Sequence, residues 1–576
     1  QSTNVTVKRI WKYLFGENAN DNSVSVFSTL QFKVIETLNS ALYPESPAVS
    51  TTNSVALSDD EKSLFIANAD NNCLAVFDVS IPGSCKSKGF IPTAWYPTCV
   101  RIAKNKILIS NGKGLTSRAN PYGPNPNRKG EAVVYREGGK EQKIKVQYIG
   151  GLFRGTLEIL HAPDAGQMAL FSKAVYNNTP YIKDKELTSV GAAGNPVPQK
   201  IGDPSPIKHI FYIIKENRTY DQVLGDMPEG NGDRDLVLFG EKITPNQHAI
   251  AREFVLLDNF YVDGEVSADG HNWTMGAYAT DYLEKTWVTS YGGRGGTYDA
   301  EGNRKIANNK NGFLWDACQR NGVSYRSYGE FVDDYKPNIP VLKNHFCPYF
   351  TSWDQSVRDT IRFSQWRRDF DSLLAANALP QLNTIRFIND HTQGLSIGKP
   401  TVFSQVADND LAVGLFVDYL SHSSVWKNSL VLIVEDDAQN GPDHVDAHRS
   451  TAYLAGGYVK KGFVDHTSYT TTSLLRTIEL ILGLPPMSQY DASAVPIWRS
   501  LNNNPDHPVF EVKPCQVNLD LKNLAVNKWQ MKSELFDFTK EDMVSDAAFN
   551  EVIWKAVKGV DSPCPPAVHA AFFIPD

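Results

Sequence analysis

Acidic residues follow three apolar segments in the second half of the chain. Glu216 and Asn217 follow the segment 210–214, Asp390 follows 384–388, and Asp436 and Asp437 follow 430–434. In an open α/β sheet, ligands bind beyond the carboxyl ends of the strands, so these side chains are expected to lie together. Carboxylates gathered in one place repel one another and are costly to bury unless positive charge joins them. A pair of divalent metal ions would supply that charge, and we therefore predict a metal-dependent hydrolase.

The segment 435–448 is the densest of these acidic regions. It holds five carboxylates and two histidines within 14 residues. A solvated charged surface would be richer in Lys and Glu, whereas histidines within an acidic run are typical of metal coordination through imidazole nitrogen. A carboxylate behind a strand often only caps the next helix, and that interpretation is favoured for Asp221, Asp258 and Asp410 taken singly.

Ser267 is the candidate nucleophile. It lies in a glycine-containing turn, 263–272, ahead of the segment 273–282, which is predicted to be helical. Backbone N–H groups and the dipole at a helix N-terminus favour an anion such as phosphate. Two alternatives stay open. Ser267 could merely cap the helix, and Thr274 could be the nucleophile, although a place inside the helix would make it less exposed.

Composition argues against several classes of protein. The 576 residues exceed what one hydrophobic core supports, so at least two domains are expected. A formal net charge of -7 argues against a general nucleic-acid binder. No stretch approaches the roughly 18–20 apolar residues of a membrane span. The seven cysteines include no C-x-x-C pair that would predict a thiolate zinc site. Residue 1 is Gln, as expected if a leader had been removed.

The segment 1–200 is predicted to form an all-β domain with an internal repeat. Residues 65–68 (FIAN) are echoed by residues 108–111 (LISN), an offset of 43 residues that falls within the roughly 40–45 of a four-stranded propeller blade. A second echo joins 24–27, 74–77 and 132–135. A β-sandwich with chance similarity is the alternative. The repeats cover only about three or four blades, whereas propellers close with about 4–8, so an incomplete propeller is expected.

A domain boundary is predicted in the segment 191–206, which is rich in Gly, Pro and Ala and has no periodicity. From 207 to 501, apolar strands alternate with amphipathic stretches such as 410–419 and 473–482. That alternation predicts an α/β sandwich with a mainly parallel sheet. The segment 502–576 mixes short helical and loop signals and is assigned to a C-terminal extension without chemistry of its own.

Five motifs carry a resemblance to a known family. They occur in the family's order and are KENRTYDQVLGD (215–226), NDHTQG (389–394), VADND (406–410), VEDDAQNGPDHVDAHRS (434–450) and RTIELILGLPPMSQYDA (476–492). With them, residues 207–495 resemble the phosphoesterase family that contains bacterial phospholipases C and acid phosphatases, within the alkaline phosphatase superfamily. The segment 65–77 (FIANADNNCLAVF) is similar to bacterial β-propeller repeats named for a Tyr-Val-Thr-Asn motif. Together these resemblances imply a β-propeller followed by an alkaline-phosphatase-like α/β domain.

The resemblance also implies roles for single residues. Glu216 corresponds to a metal-binding carboxylate, and Ser267 corresponds to the nucleophile, itself a metal ligand. Asn217 and His271 are assigned to the substrate, with Asn217 as a donor to a phosphoryl oxygen.

The remaining candidate metal ligands are Asp390 (with His391 as a weaker alternative), Asp436, Asp437, and one of His444 and His448. Of the two histidines that compete for one position, His448 is preferred. Zn²⁺ is favoured for the two predicted ions, and Mn²⁺, Mg²⁺ and Ca²⁺ are alternatives.

The function implied is hydrolysis of a phosphate monoester or diester through a serine nucleophile, as in a phosphatase or a phospholipase C. The alternative from another class is a non-catalytic surface or binding protein with a silent phosphatase-like domain, which the retained, mutually repelling acids disfavour. A sulfatase-like enzyme would need a C/S-x-P-x-R motif, which the sequence around Ser267 lacks.

The expected substrate is a small-molecule or lipid phosphoester, held by loops within 285–380. The propeller is expected to bind another protein or a glycan. Composition and the bacterial families that the chain resembles favour a periplasmic, secreted or surface location.

Overall fold

The N-terminal part of the chain forms antiparallel sheets. The computed structural model describes residues 5–8, 12–115, 132–137, 140–145, 155–291, 295–438, 441–503, 505, 509–539 and 543–564. The first strands are β1 (Val5–Val7), β2 (Tyr13–Asn18), β3 (Ser23–Ser28), β4 (Lys33–Asn39), β5 (Thr52–Leu57), β6 (Ser63–Asn68), β7 (Cys73–Asp78), β8 (Lys86–Pro92), β9 (Trp95–Ala103), β10 (Lys106–Gly114), β11 (Ala132–Glu137), β12 (Lys140–Lys145) and β13 (Thr156–His161), followed by helix α1 (Ala165–Asn178). The sheet orders are β1-β2-β3-β4, β5-β6-β7-β8 and β13-β10-β9, with a separate β11-β12 hairpin.

The sheet β5–β8 lies face to face between its two neighbours. On β7, Cys73, Ala75 and Phe77 belong to the apolar core shared with the first sheet. Leu74 and Val76 belong to the core shared with the third sheet. Successive side chains of a strand point to opposite faces, so a strand with two buried faces needs a continuous apolar run. This is why the sequence of β7 lacks polar alternation over most of its length.

The echoed segments occupy equivalent strands in successive sheets. Residues 65–68 lie in β6 and residues 108–111 in β10, each the second strand of its sheet. Residues 24–27 in β3 and 74–77 in β7 are likewise third strands. The predicted third copy, 132–135, is wrong. It lies in β11, which pairs with β12, whereas the third strand beside β10 is β13. The hairpin β11–β12 thus interrupts the repeat between β10 and β13. Stacked antiparallel sheets are the arrangement of propeller blades, and closure of a propeller stays a prediction.

The second part of the chain folds around a mixed sheet. Its strands are β14 (His209–Lys215), β15 (Val255–Leu257), β16 (Phe260–Tyr261), β17 (Tyr325–Tyr328), β18 (Val332–Asp333), β19 (Lys336–Pro337), β20 (Leu382–Arg386), β21 (Ser429–Glu435), β22 (Ala452–Gly456), β23 (Phe463–Asp465) and β24 (Tyr469–Thr470). Over the described residues, the main sheet has the order β17-β20-β14-β21-β22-β15-β23. Pairing is parallel from β17 to β21 and antiparallel on both sides of β22. The predicted α/β architecture with a mainly parallel sheet is confirmed.

Helices flank this sheet. They are α2 (Tyr220–Leu224), α3 (Pro245–Glu253), α4 (Ser267–Gly276), α5 (Asp281–Ser290), α6 (Leu314–Arg320), α7 (Asp359–Ala375), α8 (Val402–Ser421), α9 (Thr471–Leu482), α10 (Gln489–Ser493), α11 (Lys528–Ser533) and α12 (Asp546–Lys558). The amphipathic stretches 410–419 and 473–482 lie in α8 and α9, as predicted. Phe416 of α8 packs against Phe211 of the sheet, while Val402 and Val406 share a core with Phe549 of α12. The C-terminal extension therefore packs on the α/β part through α8.

The two parts of the chain contact each other beside α4 and α5. Lys310 Nζ lies 2.6 Å from Asp21 Oδ2, and Asn20 Oδ1 accepts a 3.1 Å hydrogen bond from the backbone N–H of Asp281. Division into units at 1–200, 207–501 and 502–576 stays a prediction. Among the described helices, none combines the length and apolar character needed to cross a bilayer.

Candidate active site

The three predicted strand ends converge because β20, β14 and β21 are adjacent and parallel. Ile214 of β14 is in register with Arg386 of β20, and Lys215 is in register with Glu435 of β21. The residues that follow these strands therefore meet at one edge of the sheet, which is where ligands bind in open α/β folds.

A buried group forms around Glu216 at this edge. Glu216, His271 and Asp436 each offer a ligand atom, and these atoms all lie within 4.8 Å of one another. His271 Nε2 is 3.5 Å from Glu216 Oε1 and 3.5 Å from Asp436 Oδ2. All three side chains are fully buried. A divalent ion could be held by such a group, since carboxylate and imidazole are its usual ligands.

Arg386 binds the same group from the side of β20. It donates to Glu216 Oε1 through Nε at 3.0 Å and through Nη2 at 2.8 Å. Its Nη2 also lies 2.9 Å from His271 Nε2, and its Nη1 donates to Glu301 Oε2 at 2.6 Å. Because Nε2 of His271 faces a guanidinium donor, we assign the ring proton to Nδ1, which donates to Glu330 at 2.8 Å. His271 is thereby fixed in both orientation and tautomer.

Sequence reasoning missed Arg386, Glu301 and Glu330. A signal for Arg386 exists, because a charged residue at the end of an otherwise apolar segment is costly to bury without a function or a partner. Glu301 and Glu330 lie in loops far from the motifs, and their sequence context carries no such signal.

Ser267 lies at the first position of α4, and the predicted helix 273–282 is wrong. The carboxylate of Asp269 accepts hydrogen bonds from the backbone N–H groups of Glu265 and Val266, at 3.2 and 2.9 Å through Oδ1, which starts the helix earlier. Ala277 adopts a left-handed conformation with φ 62° that ends it at Gly276. Thr274 is buried within α4, where its hydroxyl donates to the carbonyl of His271 at 3.1 Å.

The Ser267 hydroxyl meets two oxygen acceptors. Ser267 Oγ is 2.8 Å from Asp437 Oδ2 and 3.1 Å from Asn217 Oδ1. A hydroxyl has one proton, so it donates to only one of these oxygens at a time. Asn217 is held there in a left-handed backbone conformation with φ 66°. Asparagine tolerates this conformation better than most residues, and such outliers cluster at functional sites.

Asp390 lies behind Glu216 and is bound by Lys215. Lys215 Nζ lies 2.8 Å from Asp390 Oδ2 and 2.6 Å from Glu435 Oε1. Burial opposes the charged form of Lys215, but the carboxylates of Asp390 and Glu435 outweigh it and raise the lysine pKa above its usual range. His391, the weaker candidate, packs its ring against Phe549 at 5.2 Å.

His444 and His448 lie in other groups. His444 Nδ1 is 2.6 Å from Asp221 Oδ2, and Arg449 joins Asp221 to Asp443, with Nη2 2.8 Å from Asp221 Oδ1 and Nε 2.9 Å from Asp443 Oδ1. His448 contacts Glu265 and Asp446 through its two ring nitrogens, each at 2.8 Å. The structure thus brings together Glu216, Asn217, Ser267, His271, Asp436 and Asp437, with Asp390 behind them, and His444 and His448 elsewhere.

Comparisons with known proteins were made for the whole chain. No curated protein sequence matches it. A solved structure of a protein in the alkaline phosphatase superfamily from Vibrio parahaemolyticus has 15% identity and a TM-score of 0.37, over 54% of this chain and 75% of that one. The lipoteichoic acid synthase LtaP from Listeria monocytogenes has 12% identity and a TM-score of 0.36, over 65% and 96%. Hydrazine synthase from Kuenenia stuttgartiensis has 14% identity and a TM-score of 0.17, over 25% of this chain, which spans only 34% of that one.

The model of the Phosphoesterase family matches residues 234–485. The match includes Ser267, Asp390, Asp436 and Asp437, and it supports a phosphoester hydrolase. The resemblance found over 207–495 is confirmed over the range that this model matches, 234–485.

Proposed function

We propose that the protein hydrolyses phosphoesters with the help of a divalent metal ion and that Ser267 is its nucleophile. The observation that carries this proposal is the position of the Ser267 hydroxyl, at the N-terminus of α4 and within 3.1 Å of both Asn217 Oδ1 and Asp437 Oδ2. Helix N–H groups and the helix dipole favour the anionic phosphoryl group at this place.

The residues around Ser267 fit a divalent ion. Three oxygens, those of Ser267, Asn217 and Asp437, converge there, and hard divalent ions are held in proteins by oxygen ligands of these kinds. Several buried carboxylates also gather beside it, since Arg386 contacts Glu216 and Glu301, and His271 contacts Glu330 and Asp436. Carboxylates together with an imidazole are common ligands of divalent ions.

We assign the ion to Glu216, Asn217, Asp436 and Asp437, together with the Ser267 oxygen. His271 stays outside this set because its Nε2 faces Arg386. When bound, the ion would favour ionisation of the serine hydroxyl and offset charge on the phosphoryl oxygens. A set made of oxygen ligands favours Mg²⁺, Mn²⁺ or Ca²⁺ over the Zn²⁺ expected from sequence.

A single ion is proposed instead of two. Asp390 was expected to hold one of a pair, and Lys215 Nζ lies 2.8 Å from it and 2.6 Å from Glu435. The ammonium group thus already joins two carboxylates, which is the task that a second cation would perform.

The chain's own residues account for the steps of the reaction. Asp437 accepts the Ser267 proton as Oγ attacks phosphorus, and the bond from phosphorus to the leaving oxygen breaks. The leaving group takes a proton from water, and Asp437 releases its proton to solvent before the second step. The first-turn N–H groups of α4 and the Nδ2 group of Asn217 donate to the phosphoryl oxygens. A water then attacks the phosphoserine, Asp437 accepts its proton, and the bond from phosphorus to Oγ breaks with return of a proton to Ser267.

Arg386 and Glu330 act through other residues. Arg386 holds Glu216 at 2.8 Å, and Glu330 holds His271 at 2.8 Å. They are therefore positioning residues, and their role is to keep the carboxylate and the imidazole in one orientation.

The test is Ser267→Ala against Thr274→Ala as a control in the same helix. Rates are measured on p-nitrophenyl phosphate and on bis-p-nitrophenyl phosphate, after removal of metal and return of Mg²⁺, Mn²⁺, Ca²⁺ or Zn²⁺ singly. Ser267→Ala is expected to lower turnover by about a thousandfold or more, because removal of a covalent nucleophile has effects of this order. Thr274→Ala should retain activity, since its hydroxyl only binds a carbonyl within α4.

Mass spectrometry of the quenched wild-type reaction should detect phosphate on Ser267. Full activity of Ser267→Ala would show that the nucleophile is wrong. Wild-type protein that binds no metal and hydrolyses neither ester would favour the alternative of a non-catalytic binding protein.

A further inference from the structure

A second cavity lies at the same edge of the sheet. It has a volume of about 580 Å³ and is lined by the turn after β18, by residues 351–356, by the loop that follows β20, and by residues 534–539 of the C-terminal extension. Neither Ser267 nor the residues assigned to the ion line it. This volume is within the range of small-molecule sites.

The walls of this cavity combine aromatic rings with acidic groups. The aromatic side chains are Tyr335, Trp353, Phe536 and Phe538. Tyr335 is 50% exposed, so much of its ring is open to a ligand. The acidic side chains are Asp334, Asp354, Glu534 and Asp537, and Lys399 is the single basic residue among the described lining residues.

The combination of aromatic rings and carboxylates determines the charge and the chemical type of ligand that the cavity favours. An anion such as phosphate would be repelled by the excess of carboxylates. A hydrated metal ion would gain nothing from aromatic faces, whereas an organic ammonium group is attracted by both the rings and the carboxylates. A neutral apolar molecule would contact the rings but would gain no charge attraction from the carboxylates.

We propose that this cavity is a binding site for an organic ammonium cation, separate from the phosphoester centre. The proposal goes beyond the proposed hydrolytic function and does not depend on it. It also assigns a role to the C-terminal extension, since residues 534–539 supply two of the rings and two of the carboxylates.

The cavity adjoins the active site through Trp353. The ring of Trp353 lies 5.5 Å from the guanidinium of Arg386 and 5.3 Å from the ring of His391. Arg386 in turn holds Glu216. A cation in the cavity would therefore lie beside Trp353, which packs against Arg386 next to the phosphoester centre. The two sites share no lining residue.

The experiment is isothermal titration calorimetry of the full chain with choline, with ethanolamine, and with dimethylbutanol, the uncharged isostere of choline. At least one of the two ammonium compounds is expected to bind, and dimethylbutanol is expected to bind at least about tenfold more weakly. The choline and ethanolamine titrations together separate a quaternary from a primary ammonium ligand.

Two substitutions in the cavity wall test the location. Tyr335→Ala should weaken ammonium binding by about tenfold through loss of a ring face. Asp334→Asn should weaken it by about threefold, and asparagine suits the left-handed φ of 46° at this position. Phe32→Ala is the matched control, because Phe32 is 82% exposed and lies outside the cavity, in the turn between β3 and β4. This variant should bind as the wild type does.

Binding by Ser267→Ala separates this proposal from the proposed function. Unchanged ammonium affinity in that variant is expected whether or not the enzyme is active. The proposal is overturned if neither ammonium compound binds, if dimethylbutanol binds as tightly, if Tyr335→Ala and Asp334→Asn bind like the wild type, or if Ser267→Ala abolishes binding.

Discussion

Two groups of acidic residues in the α/β part draw on the same sequence segment and differ in what compensates their charge. Asp437 lies beside the hydroxyl of Ser267, and Asp436 lies beside His271 in the Glu216 group. Asp443, a few residues later, is bound by Arg449, which also binds Asp221. A guanidinium thus joins the carboxylates of one group, whereas a serine hydroxyl and an imidazole lie among those of the other.

This difference shows that a high number of acidic residues in one sequence segment does not by itself identify a metal site. Burial makes carboxylates require positive charge, but a lysine or an arginine supplies it as well as an ion does. Lys215 is a second example, since it joins Asp390 to Glu435.

Among the substitutions that compare the two groups, the largest effect should come from the pair Asp437→Asn and Asp443→Asn. Asp437→Asn removes the proposed proton acceptor and ion ligand, so it should lower phosphoester turnover by about a hundredfold or more and reduce bound metal. Asp443→Asn should leave metal content unchanged and retain activity, because Asp443 binds Arg449. Elemental analysis and initial rates are the measurements.

Equal loss of metal in the two variants would remove the distinction between the groups. Thermal unfolding of both proteins serves as the control, since a drop in activity that follows the drop in melting temperature would reflect unfolding.

A smaller effect, on stability, should follow from Arg449→Met. The guanidinium makes bonds to Asp443 at 2.9 and 3.1 Å and to Asp221 at 2.8 Å, and it lies 4.4 Å from the ring of Tyr220. Its removal leaves two buried carboxylates without their cation, which should cost about 3–5 kcal/mol of the free energy of unfolding. Thermal unfolding should show a fall of several degrees.

The control for this substitution is Arg304→Met, at an arginine that pairs with Asp299 on the surface and is 57% exposed. Exposed pairs contribute little, so its melting temperature should stay close to that of the wild type. If Arg449→Met is as stable as this control, the Arg449 group does not hold buried charge in the way described.

The sequence predicted which segments form the strands of the site, but not all of the partners that the side chains contact. The segments 210–214 and 430–434 are continuous apolar runs, and 384–388 is apolar apart from Thr384 and Arg386. Strands buried on both faces require such runs, and the three strands are adjacent in the sheet. Parallel order then brings Glu216, Asp390 and Asp436 to one edge. The start of α4 was misjudged because the backbone contacts of Asp269 are not visible as periodicity.

Histidine ligands illustrate what sequence proximity cannot determine. His444 and His448 are close to Asp437 in the chain, yet the loop directs them to Asp221 and to Glu265. His271 reaches the Glu216 group because it lies one helical turn after Ser267 in α4. Periodicity along a correctly bounded helix could have indicated this, whereas the partners of a loop residue depend on long-range packing.

The smallest effect should be a change in the pH dependence of stability in His444→Gln. The hydrogen bond to Asp221 raises the pKa of His444 above its usual 6.5. Although burial acts in the opposite direction, the bonds from His444 and Arg449 lower the pKa of Asp221 below its usual 3.8. The stabilisation by charged His444 is therefore complete below the unfolded pKa of the histidine and is lost as pH rises through its folded pKa. The contribution of Asp221 is lost at the other end, as pH falls through its lowered pKa. As pH rises from below the ordinary histidine pKa through the raised pKa of His444, wild-type protein should thus lose up to about 1 kcal/mol that His444→Gln does not lose.

His466→Gln is the matched control, at a histidine that also contacts an aspartate but is 71% exposed, and its melting temperatures should follow those of the wild type. Parallel curves for the wild type and His444→Gln would mean that His444 carries no charge in the Arg449 group. In that case arginine alone would compensate Asp221 and Asp443.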